Sequence, residues 1–533
     1  MDTKAKDLVF EEDARAFLRD GIEHLAEVVA ITLGPRGKNV GIQSSWGSPT
    51  ISSDGYTICK DLELKNPFLN MGVSMGKEVA AKIKEKSGDG TTTGIVLLRA
   101  LVQAGLKNIA SGANPTAIKR GMDKALESIL KEIDQMAVAI QNSQDTRNIA
   151  TVSASGQTEI GEMISECFAK VGKTGVVAIE EGKGTDTTIE LVEGMQFDRG
   201  YISAYFCTNN EKLTVEMTRP AILITDKKIS SAQEILPILQ QIAAAGQELL
   251  IIADDLDGDA LSTLVVNKLR GSLKIAAVKA PGFGDRRKAI LEDLAVLTGA
   301  TLVTEERGFI LREVGSEVLG STDQLTITKE KTTLVGGHGE KEAIQDRIRL
   351  IEAELAKTTS KYDQEKLQER KAKLQGGVAV IQVGAPTESE MKKKKQMYED
   401  SLNSTRAALE EGIAPGGGVA LLQAAKNAKE PACNAEEKVG AQILFKACEA
   451  PLRQIITNTG FDASIILDEI LSKKSKTHGF NALTEKVEDL LAAGIIDPVK
   501  VIKSSLRHAV SMAGVVLLSE ALIANAEEKE ESV

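Results

Sequence analysis

The stretch SGDGTTTGIVLLRALVQAGL, from Ser87 to Leu106, joins a glycine-rich turn to the start of an apolar helix. Gly88 and Gly90 allow positive φ angles and a close approach of the backbone to a ligand. The threonines that follow begin a helix whose free N–H groups and dipole favour an anion. Asp89 lies within the turn, where a bare carboxylate would repel phosphate, so it predicts a divalent cation that bridges it to the phosphates. The lysine of a Walker loop is absent, and a plain Gly/Thr-rich turn that caps a helix remains the alternative.

The composition predicts a large, acidic protein with several domains. The chain has 533 residues, enough for roughly three or four domains. Hydrophobic residues make up 42% but aromatic residues only 3%, so Ala, Val, Ile and Leu must build the cores. A net charge of −11 argues against a dedicated nucleic-acid binder, which would carry a basic stripe. The basic run Lys392–Lys395 follows a helical pattern and is interpreted as a solvated face.

Cysteine usage and hydropathy predict a cytoplasmic location. The cysteines are odd in number, scattered, and form neither a CxxC nor a zinc spacing, which favours reduced thiols. Neither an apolar signal region nor a basic, Ser-rich transit segment precedes Phe10, and a processed organellar form stays the alternative. The longest apolar stretch, Ala509–Leu518, is too short to span a bilayer, so we expect no membrane partner.

Hydrophobic periodicity predicts a nested arrangement of helical and α/β segments. Amphipathic helices dominate up to about Ile133 and return after Gly412. Between them, short apolar runs alternate with helices, which predicts parallel βαβ units; the runs are AILITD (221–226), ELLIIADD (248–255), KIAAVKA (274–280) and TLVTEE (301–306). A charged helical pair follows from Glu340 to Leu374, with Ile344, Ile348, Ile351 and Leu355 on one core face.

Four further segments accompany the first stretch in a fixed order. They are TLGPRGKNVGI (Thr32–Ile42), TISSDGYTI (Thr50–Ile58), RAALEEGIAPGGGVALL (Arg406–Leu422) and GFNALTEKVEDLLAAGIIDPVKV (Gly479–Val501). Together the five segments resemble the group I chaperonins, the GroEL family, over nearly the whole chain.

The resemblance implies a multidomain α/β protein with the chaperonin fold. A mainly helical equatorial domain would comprise residues 1–136 and 411–533, a small α/β intermediate domain residues 137–193 and 376–410, and an α/β apical domain residues 194–375. Gly194, the pair Gly376–Gly377 and Gly412 match the family's hinges, and glycine suits a hinge because it absorbs large φ/ψ changes. Ala139 departs from the proline often found at the lower hinge.

The resemblance also implies ATP hydrolysis with Mg²⁺, and a potassium ion held partly by backbone carbonyl. Asp89 matches the magnesium ligand, and the nucleotide contacts match Thr32, Leu33, Gly34, Pro35, Gly90, Thr91, Thr92, Thr93, Gly417, Asn481, Ala482 and Asp497. Asp400 matches the acid that positions or activates the attacking water, and Asp54 matches a second catalytic carboxylate. Phosphoryl transfer needs mainly positioning and charge neutralisation, which a metal, a phosphate loop and such acids supply. Ser53 departs from the family, where a lysine often precedes this aspartate.

Two central helices carry more apolar surface than one buried face requires. In the first, Ile235, Ile238 and Ile242 form a core face, while Leu236 and Leu239 lie on a neighbouring shoulder. The helix over 259–271 is equally apolar, so each needs a second packing partner or forms a binding groove. The resemblance implies the groove, a surface for unfolded polypeptide with Tyr201, Tyr205, Phe206, Leu236, Leu239, Leu261, Val265 and Val266.

The implied function is an ATP-dependent chaperone that captures non-native polypeptides and encloses them under a GroES-like co-chaperonin lid. Stacked heptameric rings of identical subunits are the implied assembly. One alternative is a diverged paralogue with weak folding activity and a specialised binding role, which Ser53, Ala139 and the acidic tail AEEKEESV keep open. The other is a phosphate-transferring enzyme on a small molecule, for which the sequence offers no substrate motif.

Overall fold

The protein divides into two compact units. The computed structural model describes residues 5–43, 49–140, 142–154, 156–172, 175–182, 184–210, 212–358, 360–473 and 475–526, so most of the acidic tail lies outside the described residues. Unit 1 comprises Met1–Ser165 and Lys392–Val533, and unit 2 comprises Glu166–Met391. The division into three domains and its hinges stay predictions.

Helices make up most of unit 1 and also occur in unit 2. In chain order they are α1 Glu11–Ala30, α2 Gly55–Asp61, α3 Pro67–Ser87, α4 Thr91–Ala110, α5 Pro115–Met136, α6 Ser143–Ser153, α7 Thr158–Val171, α8 Leu236–Ala245, α9 Gly258–Leu269, α10 Asp285–Thr298, α11 Lys341–Lys357, α12 Lys361–Gly376, α13 Glu388–Glu411, α14 Val419–Asn427, α15 Ala435–Ala447, α16 Ala450–Thr459, α17 Ala463–Ser472 and α18 Val499–Leu518.

The strands are short in unit 1 and longer in unit 2. In chain order they are β1 Lys6–Phe10, β2 Val40–Ile42, β3 Thr50–Ser52, β4 Val176–Glu181, β5 Thr188–Val192, β6 Gly194–Phe197, β7 Val215–Thr218, β8 Ala221–Ile224, β9 Lys228–Ile229, β10 Glu248–Ala253, β11 Asp255–Leu256, β12 Lys274–Lys279, β13 Gly320–Ile327, β14 Thr332–Gly337, β15 Val378–Val383, β16 Ile413–Pro415, β17 His478–Asn481, β18 Lys486–Asp489, β19 Ile496–Pro498 and β20 Ala521–Asn525.

Asn-Pro pairs fix where two long helices of unit 1 begin. The side chain of Asn66 accepts a hydrogen bond from the N–H of Phe68 at 2.9 Å, and that of Asn114 accepts one from the N–H of Thr116 at 2.9 Å. In each case the proline follows at the first helical position, where a missing N–H costs nothing. The local sequence therefore sets the start of α3 and α5.

The core of unit 1 is built from aliphatic side chains on tightly crossing helices. Leu18, Leu25 and Val29 on α1 are fully buried, as a helical repeat of apolar residues predicts. At the crossing with α3, a Cβ on Gly21 would lie 2.1 Å from the carbonyl oxygen of Leu69. Only glycine allows the two backbones to come this close.

The helix α18 lies in the same core and is longer than its apolar stretch suggested. It has 20 residues and a mean hydropathy of 1.3, which would fit a membrane span by length and composition. The apolar stretch Ala509–Leu518 is thus the second half of this longer helix. Most of its residues are buried against unit 1, among them Ile502, Leu506, Val510 and Leu517, which is the environment of a core helix.

A mixed sheet forms the centre of unit 2. Its order is β12-β10-β8-β13-β14-β6, with β7 also paired to β13. Strands β8, β10 and β12 are parallel, which confirms three of the predicted βαβ strands. The fourth run, at 301–306, forms only one parallel bridge between Val303 and Thr225. That prediction was wrong because antiparallel β13 already pairs with Ala221 and Ile222 along this side of β8.

The charged helices α11 and α12 cover part of unit 2. Ile344, Ile348 and Ile351 are buried in its core and Leu355 is half-buried, which confirms the predicted face. A separate three-stranded sheet, in the order β4-β15-β5, also belongs to this unit.

Candidate functional site

The glycine-rich turn between α3 and α4 has the backbone predicted from its sequence. Gly88 ends α3 with φ 76° and Gly90 precedes α4 with φ 91°, both left-handed. The hydroxyl of Ser505 donates to the carbonyl of Gly90 at 2.9 Å, and Asp89 accepts the N–H of Gly90 at 2.6 Å. Within the described residues no side chain caps the N-terminus of α4, as a helix N-terminus that binds an anion would require.

Asp54 reaches this turn from the start of α2. Its carboxylate accepts hydrogen bonds from Thr57, at 2.9 Å from the backbone nitrogen and 2.7 Å from the hydroxyl. A Cβ on the next residue, Gly55, would lie 2.1 Å from the hydroxyl oxygen of Thr92. The turn at Asp54 therefore packs directly against the threonines that begin α4.

Asp400 arrives from the other end of the chain, on α13. Its carboxylate forms an ion pair with Lys84, in the last turn of α3, and accepts a hydrogen bond from Gln396 at 2.8 Å. A Cβ on Gly88 would lie 2.2 Å from the Cβ of Asn403, so α13 packs on the turn itself. The structure thus brings Asp54, Asp89 and Asp400 together.

The electrostatics of this cluster disfavour three ionised carboxylates at once. Burial raises the pKa of Asp400 to about 7; Lys84 opposes that rise, whereas Asp54 and Asp89 add to it. Burial alone would lower the pKa of Lys84, but Asp400 and Asp54 raise it above its ordinary value. A cluster of this charge favours a bound cation.

The predicted Thr32–Pro35 loop is held by α16. Asn458 donates from its amide to the carbonyls of Ala30 and Leu33, each at 2.9 Å. Leu33 packs on an apolar cluster that includes Ala482, so the loop and the predicted adenine contact share one cluster.

Asn481 lies in the same region but its side chain is occupied. It is buried, its amide donates to Glu488, and its oxygen accepts the N–H of Leu483 at 2.9 Å. If Asn481 contacts adenine, the contact comes from its backbone, or the hydrogen bonds of its side chain must break first.

Asp497 and Gly417 meet across the β16–β19 ribbon. Asp497 pairs with Ala414 in the ribbon and its carboxylate accepts the N–H of Gly417. Burial raises the pKa of Asp497 to about 7, and Asp89 adds to the rise while the Gly417 N–H opposes it. Because Asp89 influences this pKa, Asp497 lies near the glycine-rich turn Ser87–Gly90, which is called the phosphate turn below after its predicted role.

The residues present fit a magnesium ion that enters together with phosphate. Among the described residues no group of three His, Cys, Asp or Glu side chains is spaced to ligate a metal. Mg²⁺ typically binds through one or two carboxylates plus substrate phosphates and waters, so Asp89 needs no protein cage around it. The potassium site stays a prediction.

Unit 2 carries the residues predicted to bind polypeptide, and they differ in exposure. Tyr205, Leu236 and Val266 are exposed, and Tyr201, Leu261 and Val265 are half-buried. The other two, Phe206 and Leu239, are buried in the core of unit 2. Those two support the surface from beneath rather than lie on it.

The exposed members share one part of unit 2. The α9 helix contacts both the Ala204–Phe206 turn and the Ala232–Glu234 turn that leads into α8. Lys268 on α9 also donates to the carbonyl of Cys207 at 2.7 Å. A separate cavity of about 630 Å³, lined by Phe197, Phe283 and others, contains none of the predicted site residues.

Sequence reasoning missed several residues that shape these sites. Lys84 binds a residue 316 positions away, Ser505 fixes the phosphate turn, and Asn458 fixes the Thr32–Pro35 loop. Leu269 is a further exposed leucine on α9. Of these residues, only Leu269 could have been found from the sequence, through the excess of apolar residues on α9. The other three make polar contacts to distant parts of the chain, which leave no local sequence pattern.

Comparison with known proteins gives consistent matches along the chain. The model of the TCP-1/cpn60 chaperonin family matches residues 25–527. "Chaperonin GroEL 3" of Protochlamydia amoebophila (strain UWE25) is 62% identical over 526 residues, which cover 99% of this chain and 98% of that protein.

Replacing Asp497 by Asn tests how the raised pKa of this buried carboxyl affects the stability of unit 1. Because the folded pKa is about 7 and the ordinary value 3.8, folded Asp497 keeps its proton where the unfolded chain releases it. The free energy of unfolding therefore falls as pH rises from about 4 to 7, by a few kcal/mol at most. We expect Asp497→Asn without nucleotide to melt above the parent at pH 8, by a margin that grows from pH 5 to pH 8 in calorimetry.

The control is Asp123→Asn, which removes an exposed ion pair with Lys119 on α5. Its melting temperature relative to the parent should not follow the same pH course. A margin for Asp497→Asn that stays constant or shrinks toward pH 8 would contradict the prediction.

Proposed function

The chain belongs to the group I chaperonins, and from that premise we propose that it is an ATP-dependent chaperone which captures non-native polypeptides. One observation carries the proposal: Asp400 lies at the phosphate turn with Asp54 and Asp89, although α13 is more than 300 positions from that turn. A structural turn that merely caps a helix has no need of three carboxylates.

The proposed reaction is the hydrolysis of ATP. The N–H groups at the start of α4, with Thr91, Thr92 and Thr93, would bind the phosphates, and Asp89 would hold Mg²⁺. When bound, Mg²⁺ neutralises phosphate charge and orients the phosphoryl group. Asp400 would position or deprotonate the attacking water, with Asp54 as the second catalytic acid. Thr32–Pro35, Gly417, Asn481, Ala482 and Asp497 would bind the base and ribose.

The proposed capture surface is the exposed aliphatic part of unit 2. Aliphatic contact is non-directional, so Leu236, Val266 and Leu261 can hold many sequences without reading any of them. The exposed Leu269 extends this surface. We propose that a GroES-like lid competes for the same residues and encloses the polypeptide in a ring of identical subunits, with stacked heptamers as the expected assembly.

The cysteines support a reducing, cytoplasmic compartment. All five are free, and four of them are buried. Burial raises the pKa of Cys59, Cys167 and Cys448 to about 12, so these thiols stay protonated and unreactive.

Replacing Asp400 by Ala tests the proposed hydrolysis. We expect turnover of ATP to fall by about 100-fold or more, because the water loses the group that positions it. Binding of a non-hydrolysable analogue should change little. The measurement is phosphate release by the assembled protein, together with release of a bound unfolded chain on adding ATP.

Glu390→Gln, on the exposed first turn of α13, is the matched control. If Asp400→Ala cleaved ATP and released bound chains at the parent's rate, the proposed function would be abandoned.

Replacing Leu236 and Val266 by Ser tests the capture surface. Their side chains are 45% and 43% exposed, so the fold tolerates the change while the surface loses aliphatic contact. We expect the double variant to suppress aggregation of a chemically denatured enzyme several-fold less well. Leu350→Ser, 57% exposed on α11, should behave as the parent does. Equal loss in both variants would argue against a specific surface.

The paralogue alternative differs in one measurable respect. A full chaperone raises the yield of a refolding enzyme when ATP and a lid protein are added. A diverged paralogue would show ATP turnover that responds to the lid but no gain in yield.

A further inference from the structure

Lys84 is the cation at the centre of the carboxylate cluster. It lies in the last turn of α3, four residues before the phosphate turn begins. Its ammonium group forms the ion pair with Asp400, and the two side chains are only 18% and 15% exposed. The ring of Tyr56 lies 5.8 Å from the same ammonium group, within reach of a cation–π contact.

The charges around Lys84 explain why it is held there. Asp400, Asp54 and Asp89 all favour its charged form, in that order of strength. Without a cation, three carboxylates in a partly buried site would repel one another. Position 53, beside Asp54, carries the neutral side chain of Ser53 and adds no charge.

The ion pair also fixes where the Asp400 carboxylate points. Gln396 donates to the same oxygen, Oδ1, that accepts from Lys84. Both donors therefore bind one oxygen, and neither of them binds Oδ2. A carboxylate held by one oxygen can turn the other toward a water molecule.

We infer that Lys84 is a positioning residue for Asp400, which holds this carboxylate at the phosphate turn so that its second oxygen is presented to the attacking water. The inference rests on the proposed ATP hydrolysis and adds to it a residue that the sequence did not single out. Lys84 acts through Asp400 and is not itself assigned a contact with nucleotide.

Lys84→Met and Lys84→Arg test this role in the assembled, full-length protein. We expect Lys84→Met to lower kcat for ATP by about 100-fold, the effect of misplacing a reacting group by about 1 Å. The Kd of a non-hydrolysable ATP analogue should change far less than kcat. Lys84→Arg keeps the positive charge and should retain most of the turnover, which loss of packing alone would not predict.

The matched control is Lys82→Met, on the same helix but exposed and paired with Glu78. Lys84→Gln is the second variant if Lys84→Met fails to assemble, as judged by native mass. In a double-mutant cycle, adding Lys84→Met to Asp400→Ala should cost no further turnover, because the lysine then has nothing to position.

The outcomes separate this inference from the proposed function. Absence of ATP turnover in the parent would remove the proposed function itself. Parent turnover with an unchanged or raised kcat in Lys84→Met would overturn only the role of Lys84. Equal losses in Lys84→Arg and Lys84→Met, or a full further loss in the double variant, would overturn it as well.

Discussion

Unit 1 depends on keeping three carboxylates together at the N-terminus of one helix. Ionised carboxylates are more stable in water than in a protein interior, so this cluster costs free energy that packing elsewhere must offset. The raised pKa of Asp400, to which burial, Asp54 and Asp89 all contribute, reflects that cost. The offset comes from the aliphatic core, where α1 and α3 cross at glycine and bring the ends of α3 and α4 into place. A site that disfavours its own negative charges favours a cation, and a bound cation would in turn allow a polyanion to bind.

In unit 2, aliphatic side chains form both the core and an exposed surface. The α8 helix buries Ile235, Ile238 and Ile242 and exposes Leu236, so one short helix serves both the core and the surface. With so few aromatic residues in the chain, the proposed capture of polypeptide would depend on aliphatic area. Such contacts are weak individually and lack direction, which fits the proposed capture and release of polypeptide.

Local sequence predicted the elements and missed the long-range geometry. The phosphate turn, the Ile faces and the parallel strands followed from glycine placement and from periodicities of 3.6 and 2. The predicted strand at 301–306 does not form because β13, which begins at Gly320, pairs with β8 on that side. Leu239 was placed on a shoulder, but a helix that packs closely on a sheet buries more than its central stripe. Lys84 had no signal at all, since its partner belongs to a distant helix.

The ion pair between Lys84 and Asp400 is better explained by a role in the proposed reaction than by a contribution to the stability of the fold. A partly buried pair recovers little more than its own desolvation cost, and apolar residues of similar size often stabilise a fold equally well. Asp54 and Asp89 add to that cost, because their charges oppose ionised Asp400. An acid that served only to join α13 to α3 would be more stable away from other acids. Keeping Asp400 here, with its pKa near neutrality and a lysine to hold it, makes sense when the carboxylate must accept a proton or orient water beside a phosphate.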